Sequence, residues 1–168
     1  MTSALITELT ETVVQTDFLE LMSEIEAGSW FDMQNREHVQ WLQCKLARRF
    51  GSGGRFYGTR SLDNKPLGLY CLLIEDHLVH QGHAEVLDLG VVAEHRRQGL
   101  GKQLMQNAET KAKDAGVCCL YVATYAGDEA AVSFYQHCGF EPVAELPGLN
   151  GPDDRGQVYL LKKLAGQG

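Results

Sequence analysis

The stretch Val91-Val92-Ala93-Glu94-His95-Arg96-Arg97-Gln98-Gly99-Leu100-Gly101-Lys102 constrains this chain most, because an apolar run ends in a basic, glycine-bearing turn and passes directly into a helical pattern. A helix that begins this way presents backbone N–H groups with no intrahelical partner, and its dipole favours negative charge there. Glycines let the backbone approach a phosphate without a Cβ in the way, so the segment reads as a pyrophosphate-binding helix start. Arg96, Arg97 and Lys102 would add positive charge at the same spot.

Spacing narrows the choice among phosphate loops. A nucleoside-triphosphate loop needs Gly-x-x-x-x-Gly-Lys-Ser/Thr, whereas Gly101-Lys102 is followed by Gln103 and position 96 is arginine. A dinucleotide fingerprint needs a third glycine near Leu104 and a tighter strand-to-turn junction. What remains is Arg-x-x-Gly-x-Gly, with Arg96, Gly99 and Gly101 in place. Downstream, Leu100, Leu104, Ala108, Ala112 and Ala115 recur at helical spacing, and Gly116 sits where a C-terminal cap belongs. Val117 to Val122 reads as a buried strand, and the segment Asp128 to Phe140 as a helix closed by Gly139-Phe140.

In these surroundings, Arg-x-x-Gly-x-Gly resembles the acetyl-coenzyme A pyrophosphate loop of the GNAT superfamily of N-acetyltransferases. Asp128 to Phe140 resembles that superfamily's second signature, Asn-x-x-Ala-x-x-Phe-Tyr followed by Gly-Phe. Residues 65 to 145 carry the resemblance, and the remainder follows in outline. Asp128 departs from the pattern at the usual asparagine: its carboxylate can cap a helix, but it lacks the amide donor that family members can offer to the pantetheine arm. The resemblance implies an α/β fold with a mixed, mostly antiparallel sheet, a splayed central pair of strands and flanking helices. Acetyl-coenzyme A, the acyl donor, would enter the gap, its pantetheine amides pairing with the backbone of Leu89, Gly90 and Val91. It implies donor-binding roles for Arg96, Arg97, Gln98, Gly99, Leu100, Gly101, Lys102, Asp128, Ala131 and Tyr135.

Acetyl transfer to an amine sets three chemical demands. The acceptor, with a pKa of about 10 if it resembles lysine, must lose a proton before attack. The tetrahedral oxyanion needs a donor, for which a backbone N–H near Val91 would serve. The departing thiolate needs a proton, and the resemblance assigns that donation to Tyr135. Counting back from the loop places Glu85 where histone-acetylating members of the superfamily carry their basic glutamate. Strand alternation puts Glu85, Leu87 and Leu89 on one face and Val86 and Asp88 on the other. Asp88, re-aimed by a bulge, and His83, on the side of Glu85, are further candidates. The resemblance shapes the acceptor pocket from the connection between the first two helices, carrying Trp30, Phe31 and Asp32, and from the loop Gly148 to Gly156, with Asp153 and Asp154. Such carboxylates and aromatic faces suit a cationic amine.

The whole chain, residues 1–168 with 44% hydrophobic content, suits one domain. No leader-like segment opens it and no apolar run nears the roughly 20 residues of a membrane span, so a soluble cytoplasmic protein is expected. The net charge of −7 argues against nucleic acid, while His95, Arg96, Arg97 and Lys102 supply a local cationic cluster. The five cysteines show no Cys-x-x-Cys spacing and read as reduced core thiols, and His137-Cys138 lacks a second ligand pair, so no metal is expected.

Before the loop, the pattern predicts a strand over 4–9, a helix from Thr16 to Ala27 closed by Gly28, and a helix from Asn35 to Phe50. A hairpin about Asp63-Asn64 and a strand from Ala84 to Val92 follow. The apolar strand Gln157 to Leu164, if at an edge, would invite a second copy to form a homodimer. Two functions fit: an acetyl-coenzyme A-dependent N-acetyltransferase, or a domain that binds acyl-coenzyme A without turnover. The former would act on a small-molecule amine, such as an amino acid-like metabolite or an antibiotic, and less readily on a protein lysine or N-terminus.

Overall fold

The structure, a computed structural model, describes residues 5–26, 31–75, 82–148 and 155–164. In chain order its elements are β1 (Thr7–Leu9), α1 (Glu11–Thr16), α2 (Leu19–Glu26), α3 (Arg36–Gly51), β2 (Arg55–Arg60), β3 (Pro66–Glu75), β4 (His83–Val91), α4 (Leu100–Asp114), β5 (Cys119–Tyr125), α5 (Glu129–His137), β6 (Glu141–Leu146) and β7 (Gln157–Lys163). The seven strands follow the order β1-β2-β3-β4-β5-β7-β6. β4 and β5 run parallel, whereas the β1–β2, β2–β3, β5–β7 and β6–β7 ladders are antiparallel. The chain forms two compact units, residues 1–73 with 88–108 and residues 74–87 with 109–168. Among the described residues no helix is long and apolar enough to cross a membrane.

In the first unit, the expected helix over Thr16 to Ala27 is replaced by two. α1 starts behind Thr10, whose hydroxyl accepts from the Val13 N–H, and ends at Asp17. The Asp17 carboxylate is ion-paired to Arg60 of β2 at 2.6 Å, which holds the bend, and fully buried Phe18 leads into α2. Ala27 and Gly28 lie outside the described residues. α3 is as expected to within a residue: Asn35 caps it by accepting from the Glu37 N–H at 2.9 Å, and Leu42 and Leu46 are buried at helical spacing. Consecutive β3 residues Leu69, Tyr70, Cys71 and Leu72 are all at most 1% exposed, so the sheet is covered on both faces here. A Cβ on Gly58 would meet Leu9 and Phe18, while one on Gly68 would meet Leu104 of α4. The Tyr70 hydroxyl donates to Asn107 of α4 at 2.7 Å, and burial pushes its deprotonation far above the usual phenol range.

The second unit buries one sheet face. Ala84, Val86, Leu120, Val122, Val158 and Leu160 are buried, while His83, Glu85, Tyr121, Ala123, Tyr159 and Leu161 between them are half-buried. The fully buried strand expected from Val117 is therefore an alternating one beginning at Cys119, after Gly116 ends α4 with φ +77°. Ala115, expected on the apolar stripe, is exposed because the helix is already closing there. Lys162 Nζ bonds Glu109 of α4 at 2.5 Å and the Cys138 carbonyl at 2.7 Å, fixing the end of α5. β7 is not an edge: it pairs with β5 on one side and β6 on the other, so the strand-based reason for a homodimer falls away. The cysteines are not all core thiols either, since Cys71 is buried, Cys44 is exposed, and Cys118, Cys119 and Cys138 are half-exposed.

Candidate active site

β4 reaches the glycine loop through a bracing set of hydrogen bonds within the first unit. The Val92 N–H donates to the Leu67 carbonyl at 3.0 Å, and a 3-10 turn at Ala93–His95 turns the chain. Arg96 Nε then donates back to the Val91 carbonyl at 2.8 Å, and its terminal nitrogen meets Glu24 of α2 at 3.1 Å. The guanidinium expected to face a phosphate is thus engaged by the protein. Arg97 and Lys102 are exposed. Arg97 has φ +60° and Gly99 φ +85°, two left-handed residues that fold the chain into a concave turn. Nothing lies within 4 Å of a Cβ built on Gly99, so the turn is open above it. Gln98 Nε2 donates to the Glu94 carbonyl at 2.9 Å, and the first intrahelical bond of α4 runs from Gln103 N–H to the Gly99 carbonyl. The N–H groups of Leu100, Gly101 and Lys102 consequently have no partner within the helix. A pyrophosphate fits this arrangement: open space, a helix start and two cations.

Just upstream, Asp88 departs from the regular strand on which its alternation was read. With φ +54° it forms a kink, and its carboxylate is 5% exposed beside Arg49 of α3, at 3.3 Å from Nε and 3.4 Å from a terminal nitrogen. Burial pushes its pKa up, and Arg49 and Lys45 pull it back down. Lys45 is itself paired to Glu26 of α2. Two residues on, a Cβ at Gly90 would meet the end of the Ile25 side chain of α2, so glycine lets that side chain lie against the strand. The backbone of Leu89, Gly90 and Val91 is thereby fixed at both ends by charged side chains.

In the second unit, the parallel ladder pairs His83, Glu85 and Ala84 with Cys119, Tyr121 and Leu120. The last pair of this ladder is Glu85 with Tyr121, while β5 continues its other ladder with β7 to Tyr125. The Tyr121 hydroxyl donates to Glu85 Oε2 at 3.1 Å, and the His83 ring lies 5.7 Å from that of Tyr121. Asp128 caps α5 through its carboxylate, accepting from the Ala131 N–H at 3.0 Å, so both groups are engaged with each other. Tyr135 and Phe134 are both half-buried. Their rings meet edge-on at 5.3 Å, and Phe140 stands 6.0 Å from Tyr135.

On the expected acceptor side, Asp32 is exposed and its carboxylate accepts from the Gln34 N–H at 2.8 Å, shaping the turn into α3. Phe31 lies 5.6 Å from the His38 ring, and His38 Nδ1 accepts from the Asp32 N–H at 3.1 Å. Trp30, Asp153 and Asp154 lie outside the described residues. Four residues missed in the sequence complete the picture. No local pattern singles out Glu24, Lys45 or Arg49, and Tyr121 lies within the apolar run from Val117 to Val122; each acquires its partner only through register or helix packing.

Residues 16–140 match the model of the Acetyltransferase (GNAT) family. An uncharacterized N-acetyltransferase from the pepI 3′ region of Lactobacillus delbrueckii subsp. lactis is 28% identical over 122 residues, 71% of this chain and 70% of that protein. N-alpha-acetyltransferase 50 of Danio rerio is 30% identical over 98 residues, and the chain spans only 58% of its length, as it does of its own. The structure also overlays on an aminoglycoside 6′-N-acetyltransferase complexed with coenzyme A, with a TM-score of 0.75 at 14% identity, covering 98% of this chain and 99% of that one. With the family match spanning the kinked strand, the open glycine turn and the α5 signature alike, the chain belongs to the GNAT family of acetyltransferases.

Proposed function

We propose that this acetyltransferase moves the acetyl group of acetyl-coenzyme A to the primary amine of a small molecule, by direct attack on the thioester within a single domain. The open turn formed by Arg97 and Gly99 ahead of the unpartnered N–H groups of α4 carries the donor half of this reading. In it, Leu100, Gly101 and Lys102 hold the pyrophosphate through backbone N–H groups, with Arg97 and the Lys102 side chain adding charge. Leu89, Gly90 and Val91 align the pantetheine arm, and the Val91 N–H takes the oxyanion. Glu85 removes the proton from the acceptor ammonium, directly or through water, and Tyr135 returns one to the departing thiolate. Asp88, held by Arg49, braces β4 in this scheme. The small-molecule acceptor draws support from the likeness, over nearly the whole chain, to an enzyme named for aminoglycosides. Phe31 and Asp32 are proposed to line its approach.

Calorimetric titration of acetyl-coenzyme A, followed by thiol release over a panel of small amines and peptide N-termini, tests this. Micromolar binding with release for a small amine is the expected result. Release for peptides alone overturns the acceptor class, and binding without release on any amine favours a non-catalytic acyl-coenzyme A sensor.

A further inference from the structure

Tyr121 and Glu85 are direct partners across the parallel β4–β5 ladder, so their side chains leave the same sheet face. That face is half-buried, not sealed, and the Tyr121 hydroxyl lies 3.1 Å from Glu85 Oε2. Phenylalanine would fill the same volume in an apolar strand. The hydroxyl is the one atom whose presence packing does not explain. A glutamate side chain has three rotatable bonds, and a donor anchored on the neighbouring strand restricts them.

We propose that Tyr121 is a positioning residue for the catalytic base: its hydroxyl aims the Glu85 carboxylate and keeps it ionised. The proposal rests on the reading of Glu85 as the base. Donation to a carboxylate favours the charged form and lowers its pKa, so loss of the hydroxyl raises it. Among the described residues, the titratable or charged groups on this face are His83 beside Glu85, Cys119, Tyr121 and Tyr125 on β5, Tyr159 and Lys163 on β7, and Glu141 on β6. The His83 ring lies 5.7 Å from that of Tyr121. Observing the Glu85 carboxyl itself separates the two groups.

The test compares wild type with Tyr121→Phe, Glu85→Gln and the double variant, using carbon-13 NMR titration of the Glu85 side-chain carboxyl and the pH profile of kcat/KM. In Tyr121→Phe the Glu85 pKa should rise by roughly 0.5–1 unit, the acid limb should move to higher pH by the same amount, and KM for acetyl-coenzyme A should stay put. In the Glu85→Gln background, Tyr121→Phe should change kcat/KM by less than about twofold. An unmoved Glu85 titration in Tyr121→Phe, with the acid limb still lost in Glu85→Gln, overturns the role of Tyr121 and leaves Glu85 as the base. An acid limb that survives Glu85→Gln shows that Glu85 is not the base, and the proposal falls with it.

Discussion

Arg96 Nε donates to the carbonyl of Val91 at 2.8 Å, so the first arginine of the glycine loop braces the end of β4. Its ion pair with Glu24 is half-exposed and contributes little, whereas the charge-assisted bond to a main-chain carbonyl fixes the turn. Arg96→Ala should therefore raise the Kd for acetyl-coenzyme A about tenfold, and Glu24→Gln by less than about threefold, in calorimetric titration. Lysine at position 96 should not restore binding, because a flexible ammonium does not reproduce the fixed bond from Nε to the Val91 carbonyl.

Gly99 adopts φ +85° with open space around the site of a Cβ. Gly99→Ala meets no clash, so its cost is conformational, about 1 kcal/mol, and Tm should fall by about 2–4 °C. The larger effect should be on acetyl-coenzyme A, since the new methyl group occupies the space proposed for the pyrophosphate. Thermal unfolding with and without the donor separates the two.

The Asp88–Arg49 pair predicts a stability that depends on pH in a definite sense. A carboxyl whose folded pKa is raised binds more protons in the folded state, so its contribution is most favourable below the ordinary carboxylate pKa and declines as pH rises through the folded value. Arg49→Ala leaves the buried carboxylate without its cation and should cost about 3 kcal/mol at neutral pH. The cost should shrink as pH falls toward the raised pKa of Asp88, where the carboxyl takes up a proton. Urea unfolding of the variant across that range reads both features, and a cost independent of pH would contradict the pairing.

At Gly90 the obstruction is the end of Ile25, a flexible side chain. Gly90→Ala should destabilise by about 1–3 kcal/mol, and Ile25→Ala in the same chain should recover part of that loss. Additive losses in denaturant unfolding would mean that the two residues do not meet.

Tyr135→Phe keeps the ring that packs edge-on against Phe134 and Phe140 while removing the proposed proton donor. The expected outcome is a fall in kcat of about 100-fold with the Kd for acetyl-coenzyme A nearly unchanged. Unaltered turnover would remove Tyr135 from the acid role.

Local rules made much of this chain legible. Asn35 with Leu42 and Leu46 announced α3, and Gly99, Gly116 and Asp128 marked the ends of helices, because capping and periodicity depend on residues a few positions apart. What escaped depends on distant partners. Arg96 meets Glu24 across 72 positions, and Arg49 meets Asp88 across 39. The split of α1 from α2 reflects Arg60 holding Asp17, and the pairing of Glu85 with Tyr121 exists only once the parallel register is set. The interior place of β7 was hidden because an apolar strand reads alike whether one or both of its edges are paired.

The outer strand β6 carries Pro142, slips register between Pro142 and Ala144, and presents Glu141 and Glu145 along an exposed stretch. Proline removes a backbone donor, the slip interrupts the row of ladder groups, and the carboxylates repel a like strand. With Val143 and Leu146 exposed beside them, these devices keep an otherwise sticky margin from templating fibrillar growth, which makes Pro142 and the two glutamates determinants of how concentrated this protein can become before it aggregates.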